Sequence, residues 1–77
     1  MATNNRKIKE IISKELNVSL LDIKDSSHLQ NDLGMDSLDA VCIVMEIETQ
    51  FNIQIPDEQI EKITTVQSIV ELVNELV

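Results

Sequence analysis

The sequence predicts an all-α fold, a small bundle of three main helices and one short helix. Apolar residues recur at helical spacing in three segments, and the only proline begins a fourth, shorter segment. The alternation typical of a strand is confined to residues 52–55, which are too few for a useful strand and are interpreted as a connector. With no repeat and no interdomain linker, residues 1–77 are expected to form a single domain.

The first helix is expected over residues 6–16. Asn17 suits its C-terminal cap, because asparagine tolerates the left-handed conformation. Residues 17–36 then form a long loop between the first and second helices, and loops of this length are usually functional. Apolar residues along the loop are expected to anchor it on the core: Val18, Leu20, Leu21, Ile23 and Leu29.

Either Asp36 or Ser37 can cap the second helix. Acidic residues at its start stabilise the helix through their interaction with the positive end of its dipole. One arc of this helix is expected to face the core: Ala40, Ile43, Val44, Ile47 and Phe51. The other side is also apolar: Leu38, Val41, Cys42 and Met45. Outward apolar residues rimmed by charge are typical of a docking surface, and a covering helix is the alternative interpretation.

Pro56 suits the first position of a short third helix over residues 57–63. Thr64 and Gln67 have the spacing of a capping box in front of the last helix. The apolar stripe of that helix has five members: Val66, Ile69, Val70, Val73 and Leu76.

The chain has 14 acidic and 6 basic residues, a formal charge of -8. This charge disfavours nucleic acid and membrane surfaces as partners, indicates partners with basic patches, and favours a monomer. Cys42 is the only cysteine, so no internal disulfide can form, and a free thiol fits the cytoplasm. No stretch approaches the roughly 18 apolar residues that a membrane span requires, so membrane insertion is not expected.

Ser37 lies in the run LGMDSLDAV, where a loop gives way to a helix. A serine hydroxyl there can carry a phosphate ester against the positive end of the helix dipole. On local chemistry alone, the simplest interpretation of Ser37 is a helix cap. A catalytic nucleophile is disfavoured because there is no Gly-x-Ser-x-Gly elbow, and His28 is most simply a solvated loop residue. The acidic run misses the positions of a calcium loop, so no metal site is expected.

The run LGMDSLDAV, followed downstream by FNIQIPDEQIEKITTV, resembles the acyl carrier proteins of dissociated (type II) fatty acid synthesis over nearly the whole chain. The resemblance implies an acyl carrier domain that is not an enzyme. Ser37 would receive 4'-phosphopantetheine from coenzyme A through a phosphopantetheinyl transferase, the carrier protein synthase. The cofactor thiol would then hold growing fatty acyl chains as thioesters for fatty acid synthesis enzymes and acyltransferases. Asp36 would help the modifying enzyme and its metal engage the site.

The resemblance also implies a docking face, which comprises Leu38, Asp39, Val41, Met45 and Glu48. An acyl chain is expected to slip between the helices, into a pocket formed by Ile43, Val44, Ile47, Ile63 and Ile69. The chain departs from the family where Cys42 replaces a usual glutamate, and where Thr49 and Gln50 occupy positions that are often acidic. The docking face is therefore expected to be less acidic and more apolar than usual.

Two alternatives remain open. The chain could be a specialised carrier for polyketide, aminoacyl or other acyl groups, since the serine does not distinguish these cargoes. It could also be an acidic helical interaction module in which Ser37 is only a cap. Loss of a cap should cost roughly 0.5–2 kcal/mol of stability. Loss of an attachment site should instead abolish function in a protein that stays folded.

Overall fold

The computed structural model describes residues 2–77, and Met1 lies outside this range. It contains four α-helices: α1 (Ala2–Leu16), α2 (Ser37–Phe51), α3 (Asp57–Ile60) and α4 (Val66–Leu76). A 3-10 turn, Leu20–Asp22, interrupts the long loop between α1 and α2. Within the described range the only strand-like pairing is an isolated bridge between His28 and Thr65. The expected bundle of three main helices and one short helix is confirmed.

The core lies where α1 packs against both α2 and α4. It is built from branched aliphatic side chains, because the only aromatic residue, Phe51, is half-buried at the end of α2 with Lys7 Nζ 5.9 Å from its ring centroid. The largest fully buried side chains are Ile8, Ile12, Leu29, Ile43, Ile47, Ile69, Val66 and Val73. The apolar faces that the sequence predicts for the main helices therefore meet in one core.

Helix α1 begins at Ala2, four residues earlier than the apolar pattern predicts. Polar contacts support this added turn, since the Asn4 amide donates to Asn74 Oδ1 at 3.3 Å and the Asn5 amide donates to Asp25 Oδ1 at 3.1 Å. The predicted C-terminal end of α1 is confirmed, because the helix ends at Leu16 and Asn17 has the left-handed φ of 56°. An apolar periodicity could not reveal the added turn, which side-chain amides tie to distant parts of the chain.

The long loop is anchored by fewer apolar residues than expected. Ile23 and Leu29 are buried, whereas Leu20 is 36% exposed and Leu21 is 90% exposed. The Ser19 hydroxyl accepts a hydrogen bond from the Leu21 N–H at 3.3 Å and caps the 3-10 turn, and no residue of this turn is buried. The expectation that Leu20 and Leu21 anchor the loop is therefore wrong.

Helix α3 is shorter than the predicted segment 57–63. Pro56 is its N-terminal cap rather than its first residue, and regular helix ends at Ile60. The backbone then continues in tight turns, in which the N–H groups of Lys62 and Ile63 each donate to the carbonyl three residues earlier, at 3.1 and 3.2 Å. Four residues are too few for helix propensity to hold the segment, so packing must keep it in place.

The start of α4 lies one residue later than predicted. Thr65, not Thr64, caps the helix, and its capping-box partner is Ser68, not Gln67. The Thr64 carbonyl instead accepts a hydrogen bond from the Leu29 N–H at 2.9 Å, which ties this end of α4 to the long loop. Among the predicted stripe residues, Leu76 is 38% exposed, and Leu72 is buried in its place.

An ion pair also ties the long loop to α1, and it makes stability depend on pH. Lys9 Nζ lies 2.9 Å from Asp25 Oδ1, and this contact, with the Asn5 hydrogen bond, holds the pKa of Asp25 below its ordinary value of 3.8. A carboxyl with a lowered folded-state pKa stabilises the protein above its unfolded pKa. That contribution is lost as the pH falls through the folded-state value.

We therefore expect Asp25→Asn to be less stable than the wild type at pH 7, by less than about 1 kcal/mol because the Asp25 carboxylate is exposed. The difference should shrink as the pH falls through the folded-state pKa, which lies below 3.8, because the wild-type carboxyl then also becomes neutral. Thermal melts of both proteins at several pH values test this expectation. A difference that is the same at pH 7 and at about pH 2 would contradict it.

Candidate functional site

Helix α2 is capped by Asp36, and Ser37 is its first helical residue. Asp36 has extended backbone angles, its side chain accepts a hydrogen bond from the Asp39 N–H at 2.8 Å, and its carbonyl accepts from the Ala40 N–H at 3.0 Å. Ser37 is exposed. The interpretation of Ser37 as the cap is therefore wrong, because the neighbouring aspartate performs that role.

The loop before Ser37 is anchored to the rest of the chain through Met35. The Met35 N–H donates to the Leu29 carbonyl at 2.9 Å, and the Met35 side chain is 9% exposed. Gly34 has a φ of 74°, a conformation in which glycine avoids the steric cost that other residues meet. Ser37 therefore lies between a buried residue of the loop and the buried face of α2.

The electrostatics of this helix start favour an anion at Ser37. The N–H groups of Ser37 and Leu38 belong to the first turn, whose donors have no acceptor within a helix, and they carry the positive end of the helix dipole. A phosphate ester on an exposed hydroxyl at this position would lie beside both N–H groups. The residues present therefore fit a phosphate-linked group, although the nearby carboxylates of Asp36 and Asp39 add negative charge.

The outward apolar side of α2 is uncovered. Leu38, Val41 and Met45 are 77%, 53% and 60% exposed, and the thiol-bearing Cys42 is exposed among them. In the described part of the chain no neighbouring helix buries this side, so the covering-helix alternative is wrong. Docking at these residues stays a prediction.

Three carboxylates around this apolar side accept hydrogen bonds from the chain itself. Glu48 Oε2 accepts from the Ile55 N–H at 2.7 Å, which holds the connector after α2. Asp39 Oδ2 accepts from the Asp36 N–H at 3.2 Å, and Glu46 Oε1 accepts from the Gln50 amide at 2.9 Å. These three groups therefore have structural roles, whether or not a partner also contacts them.

A small apolar cavity of about 20 Å³ lies beside the start of α2. Four residues of the predicted acyl pocket line it: Ile43, Val44, Ile63 and Ile69. Ile47 is fully buried but is not among the lining residues, whereas Met35, Ala40 and Ile60 are. The cavity can hold about one water molecule, so an acyl chain could enter only if the helices moved apart.

His28 has a structural role in the long loop. It is half-buried, its Nδ1 accepts a hydrogen bond from the Asn31 N–H at 3.2 Å, and its own N–H donates to Asp32 Oδ2 at 2.7 Å. The expectation of a solvated histidine is therefore wrong. Among the described residues no group of three or more histidine, cysteine or acidic side chains is placed to hold a metal ion.

The comparison with protein families identifies the class of protein. The family described as the phosphopantetheine attachment site, PP-binding, matches residues 6–73. The chain belongs to this family. It is a carrier domain that binds 4'-phosphopantetheine covalently, so the expected cofactor is confirmed. Domains of this kind are not catalytic themselves. They are modified by phosphopantetheinyl transferases and interact with biosynthetic enzymes.

The fold is also similar to a solved structure, the solution structure of the apo doublet acyl carrier protein from prodigiosin biosynthesis. The TM-score is 0.85 at 23% sequence identity, over 97% of this chain. This chain spans only 36% of the length of that structure. At this identity the likeness supports the fold alone.

No helix in residues 2–77 is long and apolar enough to cross a membrane.

The structure thus brings Ser37, Asp36 and Asp39 together at one helix end, with Met35 and Ala40 of the cavity lining on either side. Sequence reasoning missed the reciprocal hydrogen bonds between the two aspartates, although their spacing of three residues is that of a capping box. It also missed Met35, Ala40 and Ile60 as lining residues, because their contact with the cavity depends on how the loop and α3 fold back.

Proposed function

We propose that Ser37 is the attachment point of 4'-phosphopantetheine and that the chain carries growing fatty acyl chains as thioesters on this cofactor. The observation that supports it most is that Asp36 caps α2 while the adjacent Ser37 is exposed at the first helical position. In the modification, Ser37 Oγ forms the new ester bond to the phosphate next to the pantetheine, the P–O bond within the diphosphate of coenzyme A breaks, and the nucleotide half leaves with its phosphate. The hydroxyl proton passes to the modifying enzyme.

The test is the intact mass of the protein after incubation with coenzyme A, magnesium and a broad-specificity phosphopantetheinyl transferase. We expect the wild type to gain the mass of one phosphopantetheine and Ser37→Ala to gain nothing. Ser26→Ala is the matched control, because Ser26 is an exposed serine of the loop and should not affect loading. Loading of Ser37→Ala, or no loading of folded wild type by several transferases, would contradict the proposal.

The docking surface is proposed to be the apolar side of α2, with Leu38, Val41 and Met45 at its centre. Basic patches on the partners would be attracted by the net charge of -8. Contacts of this kind give rapid, charge-steered association, which suits a carrier that visits several enzymes. The acyl group on the cofactor would lodge in the cavity lined by Ile43, Val44, Ile63 and Ile69 after the helices separate.

A second candidate is a specialised carrier outside fatty acid synthesis. It is favoured by the apolar side of α2, where Cys42 is exposed and the carboxylates of Asp39, Glu46 and Glu48 are engaged within the chain. The similar solved structure is a carrier from prodigiosin biosynthesis, which is in line with this alternative. Acylation with a panel of loading enzymes separates the two, since a fatty acid carrier should accept malonyl groups from that pathway's transferase.

The third possibility, an acidic interaction module with Ser37 as a cap, loses its structural basis. Asp36 supplies the cap, so the exposed hydroxyl of Ser37 is left without that local role. A stable protein whose partner binding is unchanged by Ser37→Ala, and which no transferase modifies, would restore this possibility.

A further inference from the structure

The segment that carries Ser37 is held by two aspartates that bond to each other's backbone. Asp36 Oδ1 accepts a hydrogen bond from the Asp39 N–H at 2.8 Å, and Asp39 Oδ2 accepts from the Asp36 N–H at 3.2 Å. The pair encloses Ser37 and Leu38, the two residues between them. A change at Asp39 therefore alters the backbone immediately before Ser37 as well as the first turn of α2.

Asp39 differs from the apolar docking residues in its surroundings. Leu38 is 77% exposed and Val41 is 53% exposed, whereas Asp39 is half-buried and directs one carboxylate oxygen to the backbone of its own chain. A residue whose task is to pair with a basic partner would gain from a free carboxylate. The geometry of Asp39 is instead that of the second member of a capping box.

We propose that Asp39 is a positioning residue for the modification of Ser37, acting through the backbone of Asp36. This inference rests on the proposed function, in which Ser37 is the modified residue. The Asp39 carboxylate fixes the Asp36 N–H, and the Asp36 side chain caps the helix in return. The backbone that carries the Ser37 hydroxyl is thereby held in one conformation, and correct placement of a reacting group contributes strongly to reaction rates.

Positioning of this kind requires a hydrogen-bond acceptor and does not require a charge. The chain contains an uncharged version of the same arrangement at α4, where Ser68 Oγ accepts from the Thr65 N–H at 3.1 Å and Thr65 Oγ1 accepts from the Ser68 N–H at 3.2 Å. Serine at the third helical position can therefore reach the N–H of the cap residue. A neutral acceptor at position 39 should preserve the geometry, whereas alanine should not.

The test compares Asp39→Ala, Asp39→Asn and Asp39→Ser as substrates of one phosphopantetheinyl transferase, with kcat and KM determined for each folded carrier. Glu58→Gln, which removes a charge from the exposed part of α3, is the control. We expect Asp39→Ala to lower kcat on the order of tenfold. Asp39→Asn and Asp39→Ser, which retain an acceptor, should restore most of that loss.

Hydrogen exchange gives a second readout, which does not depend on the transferase. The Asp36 amide should exchange faster in Asp39→Ala than in the wild type, and it should remain protected in Asp39→Asn and Asp39→Ser. A rise in KM of equal size in all three variants, with unchanged exchange at Asp36, would overturn the proposal, because Asp39 would then act through its charge on the enzyme.

The outcomes separate this inference from the function on which it rests. If the wild type is loaded, Ser37→Ala is not, and all three Asp39 variants load at the wild-type rate, only the positioning role is overturned. If folded wild type is not loaded at all, or if Ser37→Ala is loaded, both the proposed function and the positioning role are overturned.

Discussion

Replacing Ile47 by alanine is expected to lower the free energy of unfolding by about 2–5 kcal/mol. Ile47 is fully buried in the middle of α2, and it does not line the cavity beside the start of that helix. The substitution therefore removes close contacts and creates a new void. A domain of 77 residues has a total stability of only about 4–12 kcal/mol at ordinary stability per residue, so a large part of it would be lost.

Urea unfolding followed by circular dichroism measures this change. Met45→Ala is the matched control, because it truncates an apolar residue of the same helix that is 60% exposed. It should change the free energy of unfolding by less than about 0.5 kcal/mol. Equal losses in the two variants would contradict the account of the core, since burial would then not distinguish the two sides of α2.

Asp36→Ala is expected to cost about 1 kcal/mol of stability, whereas Ser37→Ala should cost less than about 0.5 kcal/mol. The reason is that Asp36, and not Ser37, accepts the hydrogen bond that caps α2. Asp36→Asn serves as the control, because asparagine is as good a cap as aspartate. Thermal or urea unfolding of the three variants gives the comparison.

The same variants separate stability from function. Ser37→Ala should remain as folded as the wild type while it loses the proposed attachment point, whereas Asp36→Ala should be less stable than the wild type. If Ser37→Ala were the less stable of the two alanine variants, the serine would act as the cap after all. The interaction-module alternative would then regain its support.

The helices and their buried faces could be predicted because they depend on local periodicity. Ile43, Val44 and Ile47 recur at helical spacing, and they are buried as expected. Asn17 could likewise be placed, because few residues other than glycine and asparagine adopt the left-handed conformation at a helix end. These features need no information about distant parts of the chain.

The details that sequence reasoning missed depend on tertiary contacts or on a choice between equivalent neighbours. Aspartate and serine are both good caps, so the sequence could not decide between Asp36 and Ser37. Thr64 and Thr65 present the same choice, which is made by the bond from the Leu29 N–H to the Thr64 carbonyl. Glu48 could not be seen to hold the connector, because its partner, the Ile55 N–H, lies beyond the end of α2.

The candidate site likewise has some features that the local sequence predicts and others that depend on tertiary contacts. The position of Ser37 at a loop-to-helix junction can be predicted from the run LGMDSLDAV. The reciprocal hydrogen bonds between the aspartates and the residues that line the cavity can be identified only in the folded structure. The proposed docking face illustrates both cases. Its apolar members can be recognised by spacing, but the engagement of its carboxylates within the chain becomes visible only when the connector and the cap are in place.

The measurement that tests the central claim most directly is the location of the cofactor on the chain. After loading with coenzyme A, the protein is digested and the modified peptide is sequenced by tandem mass spectrometry. The account predicts that phosphopantetheine is found on Ser37 and on no other serine, including the exposed loop residues Ser19 and Ser26. Phosphopantetheine on any other residue would contradict the account, because the capped and exposed start of α2 would then not be the attachment site.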